Sequence, residues 1–260
     1  MRKRGQITVF VIVGIFVLIA ALGIFYLIYE KNRTKLDKEF FAQQHIKPDI
    51  NLIQSSIIGC MSETSRSSLD VIGVQGGFYK KPEKYYDLVM FFIPYYYFNG
   101  EFLIPSKARV EEELADYVAD NLDKCLNKLS FENYDLKFSN PEVEASITNT
   151  DTAVFNIDAP VTVEREGKSI ILETIDHEIV YDSYLYRILE VADYITNSHT
   201  EDEDMMCVSC IAEMSYKRDL YVDFLEFNGN QETLVIITEN KTSPEPYIFE
   251  FLNKYPPLEV

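Results

Sequence analysis

Few side chains in this 260-residue chain have types and spacings that suit chemistry. There are four cysteines: Cys60, Cys125, Cys207 and Cys210. The last two form a C-x-x-C, the spacing of a redox pair, a local disulfide or half of a zinc site. Outside the reducing cytosol four cysteines allow three pairings, and the expected one is Cys60–Cys125 with a local Cys207–Cys210 bond. A zinc site would need one C-x-x-C to meet two isolated cysteines from separate helices, which is a weak pattern. A dithiol oxidoreductase would need a flanking βαβ context that is missing. The histidines are His45, His177 and His199, and none stands in an H-E-x-x-H. G-x-S-x-G, S-x-x-K and dinucleotide fingerprints are also lacking, so no catalytic residue and no cofactor is expected.

Two further groups invite a ligand reading. Gly73-x-x-Gly76-Gly77 has the glycine density of a phosphate loop. It follows a helical stripe rather than a strand, and no Gly-Lys-Ser/Thr is present, so it reads as a helix end. The run His199-Thr200-Glu201-Asp202-Glu203-Asp204 offers oxygen ligands to a hard cation. It lacks the glycine and spaced ligands of an EF-hand and reads as a solvated charge run; no metal site is expected.

The aromatic candidates lie in Leu88–Ile104, LVMFFIPYYYFNGEFLI. Two aromatic-rich runs flank Asn99-Gly100, a strong hairpin signal. Pro94 places its strand at an edge or at the start of pairing. Tyr95, Tyr96, Tyr97 and Phe98 must alternate faces, so about half of these rings point away from the core or toward a second layer. They are either hydroxyl-bearing rings at the margin of a core or a partner-binding surface.

Ile50, Ile53, Ile57, Cys60, Met61, Thr64, Leu69 and Ile72 make a helical stripe starting near Asp49. Pro105-Ser106 opens a second helix, with Glu111, Glu112 and Glu113 as its solvated start. Further helices are expected over Tyr184–Asn197 and Met205–Tyr216. Between them the period falls to two, giving strands Glu142–Thr148, Ala153–Asp158, Val161–Glu164 and Ser169–Ile175 toward Val180, an antiparallel meander. On it Asp176 and Glu178 share one face and His177 takes the other, so they form no preformed dyad. Leu220–Phe227 and Thr233–Thr238 flank Asn228-Gly229, a second hairpin, and Tyr247–Leu252 adds a last strand. The expected fold class is α+β, an antiparallel sheet of hairpins and meander packed by several helices, over residues 49–260.

These elements hang from Ile7–Tyr29, 23 residues without a charge. As a helix it is about 35 Å long, enough to cross a hydrocarbon core of about 30 Å. It exceeds a removable signal's apolar region and ends in tyrosines that suit an interface, so it reads as a retained single-pass anchor in the plasma membrane. The short basic tail 1–6 is expected in the cytoplasm, a juxtamembrane helix over 30–48 stopped by Pro48, and the body outside the cell. From Thr34 onward 19 basic residues face 41 acidic ones, a formal charge of −22. That excludes a nucleic-acid binder, which needs basic surface.

Arg2-Lys3-Arg4-Gly5-Gln6, followed directly by the apolar run, resembles the class III signal of archaeal type IV pilin-like proteins. The resemblance covers about the first 30 residues. It implies that a prepilin-type peptidase cuts between Gly5 and Gln6, and that the apolar segment serves as anchor and then as a filament core. Many family members carry a glutamate five residues into the mature chain, where this sequence has Phe10. The expected function is a membrane-anchored surface protein, pilin-like or structural. The alternative is an anchored receptor or accessory module that binds a protein partner through the aromatic hairpin, with a carboxylate-pair hydrolase the least favoured reading.

Overall fold

A computed structural model describes residues 47–172, 177–198, 207–228, 232–240 and 246–256. The expected anchor, the Gly5–Gln6 junction and the acidic run at 199–204 lie outside the described residues. Among those described, no helix is long and apolar enough to cross a membrane. The architecture is α+β, and its described residues divide between two compact units.

The larger unit holds most of helix α1 (Lys47–Val74), and all of α2 (Lys107–Leu126), α3 (Leu185–Asn197) and α4 (Val208–Tyr216). Pro48 is itself helical, inside the described span of α1, so it does not separate the helix from what precedes Asp49 as the sequence suggested. At its other end the glycines close a Schellman motif. Gly77 N donates to Ile72 O (2.8 Å), Gly76 N donates to Gly73 O (3.1 Å), and Gly76 has φ +53°. Helix α2 is capped by Ser106, whose hydroxyl accepts from Arg109 N (3.2 Å). Its buried face carries Val110, Leu114, Val118, Leu122 and Leu126, spaced three or four apart.

The main sheet runs β1 (Tyr85–Asp87), β2 (Phe92–Phe98), β12 (Ile248–Lys254), β11 (Glu232–Glu239), β10 (Leu220–Phe227), with β3 (Glu101–Phe102) also pairing β2. Its pairs are antiparallel except that β12 lies parallel to β2. The first hairpin turns at Asn99 (φ +49°) and Gly100 (φ +99°), the two positive angles of a type I′ turn. Pro94 precedes the first β2–β12 pair, Tyr95 with Leu252, so its missing donor interrupts no ladder there. The packed face carries Tyr96, Val235, Ile237, Phe249 and Phe251, all essentially without solvent contact.

The expected meander divides in two. β5 (Glu142–Ile147), β6 (Thr152–Asp158) and β9 (His177–Asp182) form one antiparallel sheet in the order β5-β6-β9. β4 (Asp135–Phe138), β7 (Val161–Arg165) and β8 (Lys168–Leu172) form another, in the order β4-β7-β8, in the smaller unit. The split falls at Ala159-Pro160. A two-residue hairpin needs positive φ at both central residues in type I′, which Pro160 forbids, or at the first in type II′, which Ala159 disfavours for want of glycine, so β6 and β7 do not fold back on each other there. The smaller unit comprises, of the described residues, 47–55, 130–137 and 161–172. Val161 and Val163 are buried, Glu166 and Gly167 supply a positive-φ turn, and Arg165 donates to the Tyr134 hydroxyl (3.0 Å).

Candidate functional site

The aromatic strand β2 is less a surface than a wedge. Tyr96 is fully buried; its hydroxyl donates to Gly76 O (2.9 Å) and its ring stacks on Phe251 at 4.2 Å. Burial pushes that hydroxyl's pKa well above its ordinary value, so it is no base. Tyr95, on the opposite face, is buried with Ile93 and Leu252, and burial with Glu232 nearby pushes it up to about 12. Tyr97 and Phe98 are half-buried: Tyr97 meets Phe102 edge-on at 5.0 Å, and Lys84 and Lys254 each lie over the Phe98 ring. Of the four sequence candidates, two are therefore core and two partly accessible.

Apolar exposure concentrates instead at the other end of β2. Asp87 pairs with Phe92 to close the β1–β2 hairpin, and the loop between them is Leu88-Val89-Met90-Phe91. Val89 is 94% exposed, Met90 92% and Phe91 43%. Leu88 N donates to Phe91 O (2.9 Å), and Met90 N donates to Leu88 O (2.9 Å) across Val89 at φ +73°. That is a γ-turn of the rare positive-φ kind, on a β-branched residue. Such a backbone costs about 1–3 kcal/mol and persists only where neighbours hold it. Here Asp87 Oδ1 accepts from Val89 N (2.8 Å) while Lys81 Nζ donates to Asp87 Oδ2 (2.7 Å). The Lys81 hydrogen bond holds the Asp87 carboxyl below its ordinary pKa.

This tip escaped sequence reasoning because it contains no Gly, Pro, Asn or Asp, and its residues read as the start of a strand. Its approach is fixed from α2. Glu113 is fully buried, its Oε2 accepting from Tyr79 N (2.9 Å) and Lys80 N (2.8 Å), its other oxygen from Arg109. The acidic triplet is thus not all solvated: Glu112 is exposed beside Arg109, Glu111 accepts from Ile147 N (2.7 Å), and Glu113 is structural. Burying a carboxylate is costly unless donors surround it, and three do.

The cysteines are joined as Cys60–Cys125 (Cα–Cα 5.6 Å) and Cys207–Cys210 (5.3 Å). The first ties the buried stripe of α1 to α2. The second spans the first turn of α4, where Cys207 Sγ accepts from Cys210 N (3.3 Å). Among the described residues no group of three or more His, Cys, Asp or Glu is placed to hold a metal. Glu178 is exposed on β9; Asp176 and the His177 side chain lie outside what is described.

One polar cleft of about 410 Å³ is lined by Arg66, Asp70, Asp182, Glu239 and Tyr247, among others. The Tyr247 hydroxyl is buried, has no hydrogen-bond partner among the described residues, and its pKa is raised first by burial and then by Asp70 and Glu239. Glu239 accepts from Tyr184 N (2.9 Å). The cleft's lining includes no histidine or cysteine, and its Tyr247 hydroxyl is harder to ionise than usual. Comparison with protein families, with curated proteins and with solved structures finds no match.

Proposed function

We propose that this chain is a single-pass, membrane-anchored cell-surface protein of pilin-like or structural type, held by Ile7–Tyr29 with its body outside the plasma membrane. The observation that carries the reading is the Cys60–Cys125 bond between two core helices. Structural disulfides form and persist in oxidising compartments, and are rare where thioredoxin and glutathione keep thiols reduced. The uncharged 23-residue run would supply the anchor, and the short tail before it, against the long cysteine-bearing body after it, favours the tail inside and the body outside. The peptidase that the Arg4-Gly5-Gln6 junction resembles a substrate of would leave Gln6 as the new N-terminus.

The test is mass spectrometry of membranes from the native host under alkylating, non-reducing conditions. The expected result is a membrane-bound chain beginning at Gln6, with Cys60 and Cys125 linked. Free thiols at both positions, or a chain found only in the soluble cytosol, would sink the reading. A second reading, an anchored receptor or accessory module, is favoured by one observation: Val89 and Met90 stand almost fully exposed on a strained loop at the end of the aromatic hairpin. Strain and exposed apolar area of this kind collect at binding surfaces.

A further inference from the structure

We propose that the free edge of β10 docks an extended segment of another protein, one that alternates apolar with basic residues. Strand β10 pairs with β11 over eight unbroken positions, and no described strand pairs with its other side. Its sequence, LYVDFLEF, carries none of the Lys, Pro or bulge devices that commonly close an edge. The ladder fixes which groups face outward. Asn240 N donates to Asp219 O (2.8 Å), so the odd-numbered residues of β10 bond to β11. Leu220, Val222, Phe224 and Glu226 therefore turn their N–H and C=O toward the open side.

Beside that edge runs an apolar groove of about 380 Å³ between β10 and α4, with Ile211, Ala212, Val222 and Phe224 in its lining. Ile211 is buried, while Val208 and Tyr216 at the helix margin are exposed. The Cys207–Cys210 bond pins the first turn of this wall. A strand added to β10 would complete the ladder and drop every second side chain into the groove.

Charge selects the occupant. Asp223 and Glu226 are exposed and form no ion pair among the described residues, and the body carries −22. A second copy pairing β10 with β10 would bring these acids and two acidic bodies together, which opposes it. A segment with apolar residues on the groove face and lysine or arginine on the other meets Asp223 with the opposite charge. The proposal does not depend on the anchor.

The experiment uses the full chain in detergent micelles with disulfides intact, and a fluorescent peptide of sequence KVKVKVK read by anisotropy. Expected are saturable binding and about tenfold weaker binding of KGKGKGK, which keeps the charge but not the apolar side chains. Val222→Pro deletes one outward N–H and leaves the β10–β11 ladder bonds, so it should also weaken binding about tenfold. Asp223→Asn, which cannot disturb the fold by burial, should weaken it severalfold. Equal binding of the two peptides, or KVKVKVK binding that both variants leave unchanged, would overturn the proposal. So would a concentration-dependent dimer that Val222→Pro abolishes, because that assigns the edge to a second copy.

Discussion

Strands β2 and β10 each adjoin a turn with Asn at positive φ, Asn99 in one and Asn228 in the other, yet their surroundings differ. β2 has β1 and β3 along one side and β12 along the other, and its ring Tyr96 is locked under α1. Among the described residues β10 has β11 on one side only, and the margin of α4 beside it is exposed. The difference teaches that a hairpin turn dictates the local partner but not the far edge. What covers β2 arrives from β12, about 150 residues downstream, and no equivalent strand arrives for β10 among the described residues.

Perturbations should therefore be severe around β2 and mild around β10. The largest effect is expected for Glu113→Ala. It leaves Arg109 and two backbone N–H groups facing a void, and should cost about 3–5 kcal/mol by denaturant titration. A loss under about 1 kcal/mol would mean that water replaces the carboxylate and that the approach to β1 is loosely held. Next comes Gly76→Ala. A Cβ there would lie 2.4 Å from Glu250 O and 2.6 Å from Pro94 Cγ, at φ +53°. The expected cost is about 3 kcal/mol, since left-handed strain of about 1–2 kcal/mol adds to a backbone clash. Gly100→Ala, with open space at its Cβ, should cost only the strain, and similar values for the two would break the contrast.

The hairpin tip should respond in the opposite direction. Val89→Gly relieves a β-branched residue at φ +73° and should stabilise by about 1 kcal/mol after glycine's extra chain entropy. Thermal unfolding would register this as a rise of about 2–4 °C for a body of this size, whereas an unchanged or lower midpoint would show that the tip is unstrained. The smallest effect concerns Glu250, which faces Ile236 on the outward side of the main sheet. Burial raises its pKa above the ordinary 4.5. The folded state then binds a proton more readily than the unfolded chain, so this stabilisation is complete at low pH and is lost as pH rises through the raised value. Glu250→Gln should flatten that decline and add a degree or two to the midpoint near neutral pH, about 0.5 kcal/mol. Parallel pH profiles for the two proteins would count against it.

Much of this architecture was legible from local pattern. The helical stripe of α1, the existence of α2 and α3, the Gly76-Gly77 ending and the two hairpins β2–β3 and β10–β11 follow from periods and turn signals contained within a few residues. The parallel β12–β2 pair was not, because nothing in Tyr247–Leu252 specifies which of several edges it will join. The division of the meander hinged on one proline, Pro160, whose effect on pairing is read only when its two-residue link is counted. At the candidate site the sequence pointed to Tyr95–Phe98, and pleating buried Tyr95 and Tyr96. The exposed Val89-Met90 tip gave no polar or glycine signal because Asp87 and Lys81 hold the turn from outside it.

The Cys60–Cys125 bond has a mechanical consequence. It closes a loop across a sequence separation of 65, which contains β1, β2, β3 and most of α2. A pull applied between the N-terminal end of α1 and any point beyond Cys125 passes through sulfur rather than along that loop. About 220 Å of contour length is thereby withheld from extension at about 3.4 Å per residue. The strained tip and the aromatic wedge thus sit in a slack, unloaded segment, while β10, β11 and β12 lie on the tensioned side of the bond.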